Sequence, residues 1–150
     1  MNCVTSPLPT YQGAWPAPYD PSLGTSADQF YSGIWWNPAQ GGRGFAFELQ
    51  NGWCYLAGYM YDGTGQSVWY VAGPMAATGP ATSPACSGNW VQYANGQVPG
   101  GSYRSPTVAN PDIGAVTVQF SYLATSPPTP AAVMTLPNGQ SLQLQKYVQQ

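Results

Sequence analysis

The chain contains no histidine. That absence removes Ser-His-Asp and Cys-His catalysis, histidine-ligated zinc and histidine pH switching together. Charge is nearly missing too. Three basic and five acidic side chains make up 5% of the 150 residues, where an ordinary soluble domain carries roughly 25%. Arg43, Arg104 and Lys146 are too few to neutralise a phosphate backbone, so nucleic acid is not expected as a partner. No apolar run reaches 18 residues, so no transmembrane segment is expected. The start, Met1-Asn2-Cys3-Val4, has neither the basic nor the apolar region of a signal peptide. Phosphate-cradling loops, dinucleotide fingerprints and CxxC metal spacings are absent, so no cofactor or metal is expected. No segment holds a helical period over eleven residues.

What the chain does have is glycine (18), proline (16) and aromatics, including 11 tyrosines and 6 tryptophans. So much Gly and Pro borders on a disordered composition. An aromatic content of 14% argues the other way, because burying such rings drives collapse. At this length one domain with a real core is expected. A surface of Gln, Asn, Ser, Thr, Tyr and Gly suits an exported protein, its signal already removed, better than a cytosolic one. The expected location is extracellular or at the cell surface.

The three cysteines are Cys3, Cys54 and Cys86, and an odd count leaves at least one outside an intrachain bridge. An oxidising compartment implies one bridge. Cys86 lies in the Pro- and Ser-rich stretch around Ser83-Pro84-Ala85, where an anchor helps most; Cys54 and Cys3 are both open as its partner.

Residues 1–30 read as an extended arm, because Pro7, Pro9, Pro16, Pro18 and Pro21 forbid a helix. Tyr11, Trp15 and Tyr19 in that arm, with Cys3, are candidates for packing on a neighbouring subunit. Residues 31–150 read as a single antiparallel β domain. Strands are expected over 43–50, 53–61, 67–71, 88–93, 115–122, 131–136 and 141–148, with irregular chain at 74–87 and 97–113 and a rigid loop at 126–130. Asn51-Gly52, Asp62-Gly63, Asn95-Gly96 and Asn138-Gly139 supply the turns. The result is an all-β meander that closes into a small barrel or folds as a two-meander sandwich. A barrel is preferred, since closure hides edges that have little charge to protect them.

A two-residue loop at Asn51-Gly52 fixes a register. Leu49 then faces Cys54, Phe47 faces Leu56, Phe45 faces Gly58 and Arg43 faces Met60, on an apolar face expected to be core. The other face pairs Gln50 with Trp53, Glu48 with Tyr55, Ala46 with Ala57 and Gly44 with Tyr59, and brings Trp69 near Tyr59. Trp53, Tyr55, Tyr59 and Trp69, with Glu48 and one of the Trp35-Trp36 pair (Trp36), make flat aromatic walls over small residues. Such a surface suits sugar rings or planar ligands; packing against other protein is the alternative use of the same rings.

Two motifs stand out. The first is Gly33-Ile34-Trp35-Trp36-Asn37-Pro38-Ala39-Gln40-Gly41-Gly42-Arg43-Gly44. The second is Tyr59-Met60-Tyr61-Asp62-Gly63-Thr64-Gly65-Gln66-Ser67-Val68-Trp69-Tyr70. Together they resemble a β-rich domain of secreted proteobacterial proteins that carries G-x-W-W-N-P-x-x-x-G-x-G and Y-D-x-x-G-x-P-x-W-Y. The resemblance covers residues 31–148 and implies an extracellular β module. It supplies no catalytic residue. Ser67 departs from it by replacing the proline of the second motif. Asp62 is expected to bond backbone N–H groups in its turn. An enzyme is not expected: Glu48 sits mid-strand and Asp62 in a turn, the serines lack a histidine base, and Lys146, which Ser-Lys catalysis would need, lies near a frayed terminus. The expected function is a non-catalytic extracellular interaction protein that self-assembles or associates with surfaces. A module binding glycans or small ligands through the aromatic face is the alternative.

Overall fold

A computed structural model describes residues 27–125 and 128–147. Eight antiparallel strands close into a barrel in simple chain order: β1 (Gly33–Trp36), β2 (Gly44–Gln50), β3 (Trp53–Tyr61), β4 (Ser67–Ala76), β5 (Ala85–Ala94), β6 (Thr107–Leu123), β7 (Thr129–Thr135) and β8 (Ser141–Lys146). The barrel is therefore realised and the sandwich is not. One helix, α1 (Ala27–Tyr31), precedes them. The expected β2–β3 register holds at every pair from Gly44–Tyr59 to Gln50–Trp53. Its cause is local: Asn51 and Gly52 take φ of 52° and 80°, the left-handed pair that a two-residue hairpin needs. Arg43 falls just outside the ladder, so its expected pairing with Met60 in the core does not form.

Several boundaries differ from the sequence reading. Residues 27–30 do not belong to an extended arm, and the first strand starts at Gly33 after the helix. Five residues cannot hold a helix alone; tertiary bonds hold this one. The Tyr31 hydroxyl donates to the Thr82 carbonyl (2.7 Å), Trp35 Nε1 donates to the Tyr31 carbonyl (2.9 Å), and the Asn51 N–H donates to the Asp28 carboxylate (2.9 Å). Lys146 Nζ donates to the carbonyls of Gln29 and Phe30, and burial lowers its pKa. The helix thus plugs one end of the barrel. Irregular chain expected at 74–87 shrinks to 77–84, because β4 and β5 extend into it. Likewise β6 begins at Thr107, and Thr129 and Pro130 start β7 instead of ending a loop. Proline and glycine hid these strands; ladder pairing overrides their low propensity.

Eight strands leave an interior just wide enough for side chains to fill. Trp35, Phe47, Phe120 and Tyr31 fill the plugged half, with ring centroids 5.1–5.9 Å apart. Trp90, packed against Tyr70, fills the other half. Its ring lies over Gly58, where a Cβ would come within 2.8 Å of it. No polar or charged residue is buried among the described residues.

Cys54 and Cys86 form a disulfide with Cα atoms 6.3 Å apart, which decides between the two partners left open for Cys86. The bond joins β3 to β5 across the foot of β4, and it fits an oxidising compartment. It sits beside a thin part of the ladder. β4 and β5 share only the Tyr70–Gln92 and Val71–Val91 pairs and the Thr78–Ala85 bridge. Met75 leans into the gap, toward the bare backbone of Gly88.

Two outcomes follow. Reducing the disulfide, whose cysteines are 32 residues apart, lowers unfolding free energy by about 3–4 kcal/mol through loop-closure entropy. Denaturant titration measures the loss, and amide exchange accelerates first in residues 72–76 and 85–89. The substitution Gly58→Ala overpacks the Trp90 contact and costs about 1–3 kcal/mol, read in the same titration.

Candidate functional site

Strand pleating alternates side chains between the two faces. In a closed barrel one set is core and the other meets solvent. Along β3 the outward set is Trp53, Tyr55, Ala57, Tyr59 and Tyr61. Trp53 and Tyr59 are more than half exposed (54% and 53%), and Tyr55 and Trp69 nearly so (45% each). The registers place Glu48 beside Tyr55 and Trp69 beside Tyr59. Five of the six residues singled out in the sequence therefore share one continuous outer wall on β2, β3 and β4.

Trp36, the sixth, faces the same side but stands apart. Continuing the β1–β2 register puts it next to Gly44, with Tyr59 beyond. Its ring packs edge-on against Tyr147, 6.2 Å away. Tyr93 on β5 was not anticipated. It stacks on Trp69 at 6.0 Å and 19°. The irregular β4–β5 connection hid its register; only the ladder shows that it extends the wall. A transverse row results, running Trp36, Gly44, Tyr59, Trp69, Tyr93 across five strands, with glycine as its one gap.

Ala57 and Val71, paired across β3 and β4 in the pleat beside Tyr55, Tyr59 and Trp69, point outward yet are only 7% and 9% exposed. Burial, then the neighbouring Tyr59 and Tyr93 phenols, raise the Tyr55 pKa above its ordinary value. The three hydroxyls thus gather on one patch. The arm candidates Cys3, Tyr11, Trp15 and Tyr19 lie outside the described residues.

At the end of the barrel opposite α1, the β1–β2 and β3–β4 loops flank an open groove of about 580 Å³. Gly42, Arg43 and Gly44 form one side; Tyr59, Tyr61, Ser67 and Trp69 stand among the residues of the other. Every residue lining it comes from one of the two sequence motifs. Arg43, Tyr61 and Ser67 were missed by strand parity, which says nothing of loop ends; the convergence of the motifs was the available signal.

Asp62 shapes the β3–β4 loop. Its Oδ1 accepts from the Thr64 hydroxyl (2.7 Å), the Thr64 N–H (2.8 Å) and the Gln66 N–H (3.1 Å). These bonds, the Thr64 hydroxyl foremost, lower its pKa. By the strand rise, Glu48 and the Asp62 turn lie roughly 20 Å apart along β3. Paired glycosidase carboxylates stand within about 10 Å, so these two do not make one. Among the described residues no group of three or more Cys, Asp or Glu side chains could hold a metal ion, and no described helix is long and apolar enough to cross a membrane. Comparison with family models, with curated proteins and with solved structures returned no match.

A lowered carboxyl pKa favours the ionised form in the folded turn. The stabilisation it brings is present above the ordinary aspartate range and is lost as pH falls through the lowered value. Carboxyl chemical shifts should accordingly place the Asp62 midpoint below that of a free aspartate, and in Thr64→Val the midpoint moves back up.

Proposed function

We propose that the protein is a non-catalytic extracellular binding module whose outer aromatic wall docks a glycan. One observation carries this reading: Trp53, Tyr55, Tyr59 and Trp69 stand in solvent on the outside of a barrel whose inside is already full. Rings on that side find no core among the described residues, and leaving them wet forgoes burial worth about 25 cal/mol per Å². Contiguous exposed apolar surface of this kind marks interaction sites. Tyr and Trp combine a flat apolar face with a polar tip. Sugar rings offer the complement, a C–H face rimmed by hydroxyls. The scarcity of charge suits a polymer held by stacking and hydrogen bonds.

Assembly of the chain with itself is the second reading, favoured by low surface charge, which offers little repulsion between copies. Barrel closure narrows its route. Each described strand has a neighbour on both sides, and the one long stretch paired on a single side is residues 107–116 of β6, bonded to β5 alone, so contact between copies would go through that stretch, through side chains of the wall or through residues 1–26.

Affinity electrophoresis through gels containing soluble polysaccharides tests the glycan reading. Retardation is expected for at least one polymer. Trp53→Ala and Trp69→Ala each weaken it about 3–10-fold, one lost stacking contact apiece, with thermal midpoints near that of the parent because neither ring is core. Migration unaffected by any polymer, together with light-scattering oligomers that Trp69→Ala dissolves, would replace this reading with self-association.

A further inference from the structure

We infer that the rim groove is a subsite for a sugar residue bearing a carboxylate, placed where a glycan on the wall reaches the loop end of the barrel. This inference rests on the glycan reading and specifies the chemistry of one position in it. Three observations lead to it.

The first is Gly44. Glycine is usually demanded by a positive φ or by a close neighbour. Gly44 has neither: a Cβ there would meet only the Trp35 carbonyl oxygen, at an ordinary 3.8 Å. A strand interior without a side chain is a cost to stability, and nothing in the packing explains it here. What the missing side chain leaves open is the gap in the aromatic row between Trp36 and Tyr59, on the groove's own lining. Bare backbone at such a place is where a ligand approaches closely.

The second is Arg43, next in the chain. It is half-buried in the groove wall and is the groove's only cation. Its guanidinium donates to Gln40 Oε1 in the β1–β2 loop, which orients it, and it meets no carboxylate among the described residues. A guanidinium has five N–H donors and binds carboxylates through two parallel bonds. The second motif's sole carboxylate, Asp62, has Oδ1 committed to its own turn. An anion is therefore the missing complement.

The third is the rest of the lining. Tyr59, Tyr61 and Trp69 supply ring faces and Ser67 a hydroxyl. A free inorganic anion would make no use of those rings. A pyranose with a carboxyl group uses both: its C–H face stacks, its hydroxyls meet Ser67 and the phenols, and its carboxylate meets Arg43.

The test titrates the full chain with oligomers of galacturonate, glucuronate and mannuronate, each as the free acid and as its methyl ester, beside neutral oligosaccharides. At least one acid should bind about ten-fold more tightly than its ester, as expected for hydrogen bonds to a charged partner. The preference should shrink as salt is raised. Arg43→Gln should bring the acid-to-ester ratio near one. Gly44→Val should weaken binding of the acid at least ten-fold while the unfolding midpoint holds or rises, since valine suits a strand and finds room there. Equal affinity for acid and ester, or a preference that survives Arg43→Gln, overturns this inference. If neutral saccharides bind and uronates do not, the groove assignment fails and the wall reading stands. If no saccharide binds, both fail.

Discussion

Pleating imposes a period of two on every strand, and barrel closure gives the two faces opposite fates. Inside, eight strands enclose a space that side chains can fill. Phe45, Phe47, Leu49 and Leu56 enter from neighbouring strands and join Trp35, Phe120 and Trp90 in one buried core. Outside, every alternate residue is left to solvent. Once Phe47 and Leu56 are core, Tyr55, Tyr59 and Trp69 have no choice but to face out. The aromatic wall is the geometric remainder of the hydrophobic core.

Two devices make this closure hold in a chain of few charges. The helix α1 stops one end with Tyr31 and ties its own carbonyls to Lys146 on the last strand. The Cys54–Cys86 bond spans the foot of β4, where it shares few ladder bonds with β5. Neither device touches the opposite rim. The loops carrying Arg43 and Asp62 are thus free to be shaped by local turn bonds, and the groove lies between them. The helix and the disulfide sit at one end of the barrel and the groove at the other.

The resemblance to a β-rich domain of secreted proteins rests on its two motifs. Their positions in the fold give them a shared physical meaning. They run through Trp35, Gly44, Tyr59 and Trp69, and their loop portions meet at one groove. Trp35 explains part of the first motif as core. Gly44 and Arg43 are not explained by packing, and the proposed ligand gives them a reason.

Much of this was legible without coordinates. The hairpin turn at Asn51-Gly52 set the β2–β3 register residue by residue, because φ above zero at two adjacent positions admits only one short loop. Alternation then separated Leu49 and Phe47 from Glu48 and Tyr55. Local pattern could not show α1, whose five residues are helical only because Thr82, Asn51 and Lys146 hold them. Nor could it find the strand portions hidden by Pro74, Pro111 and Pro130, choose Cys54 for Cys86, or bring Tyr93 onto Trp69. Each of those depends on residues far apart in the chain meeting across a closed sheet, and a sequence encodes such distances only through the fold it makes.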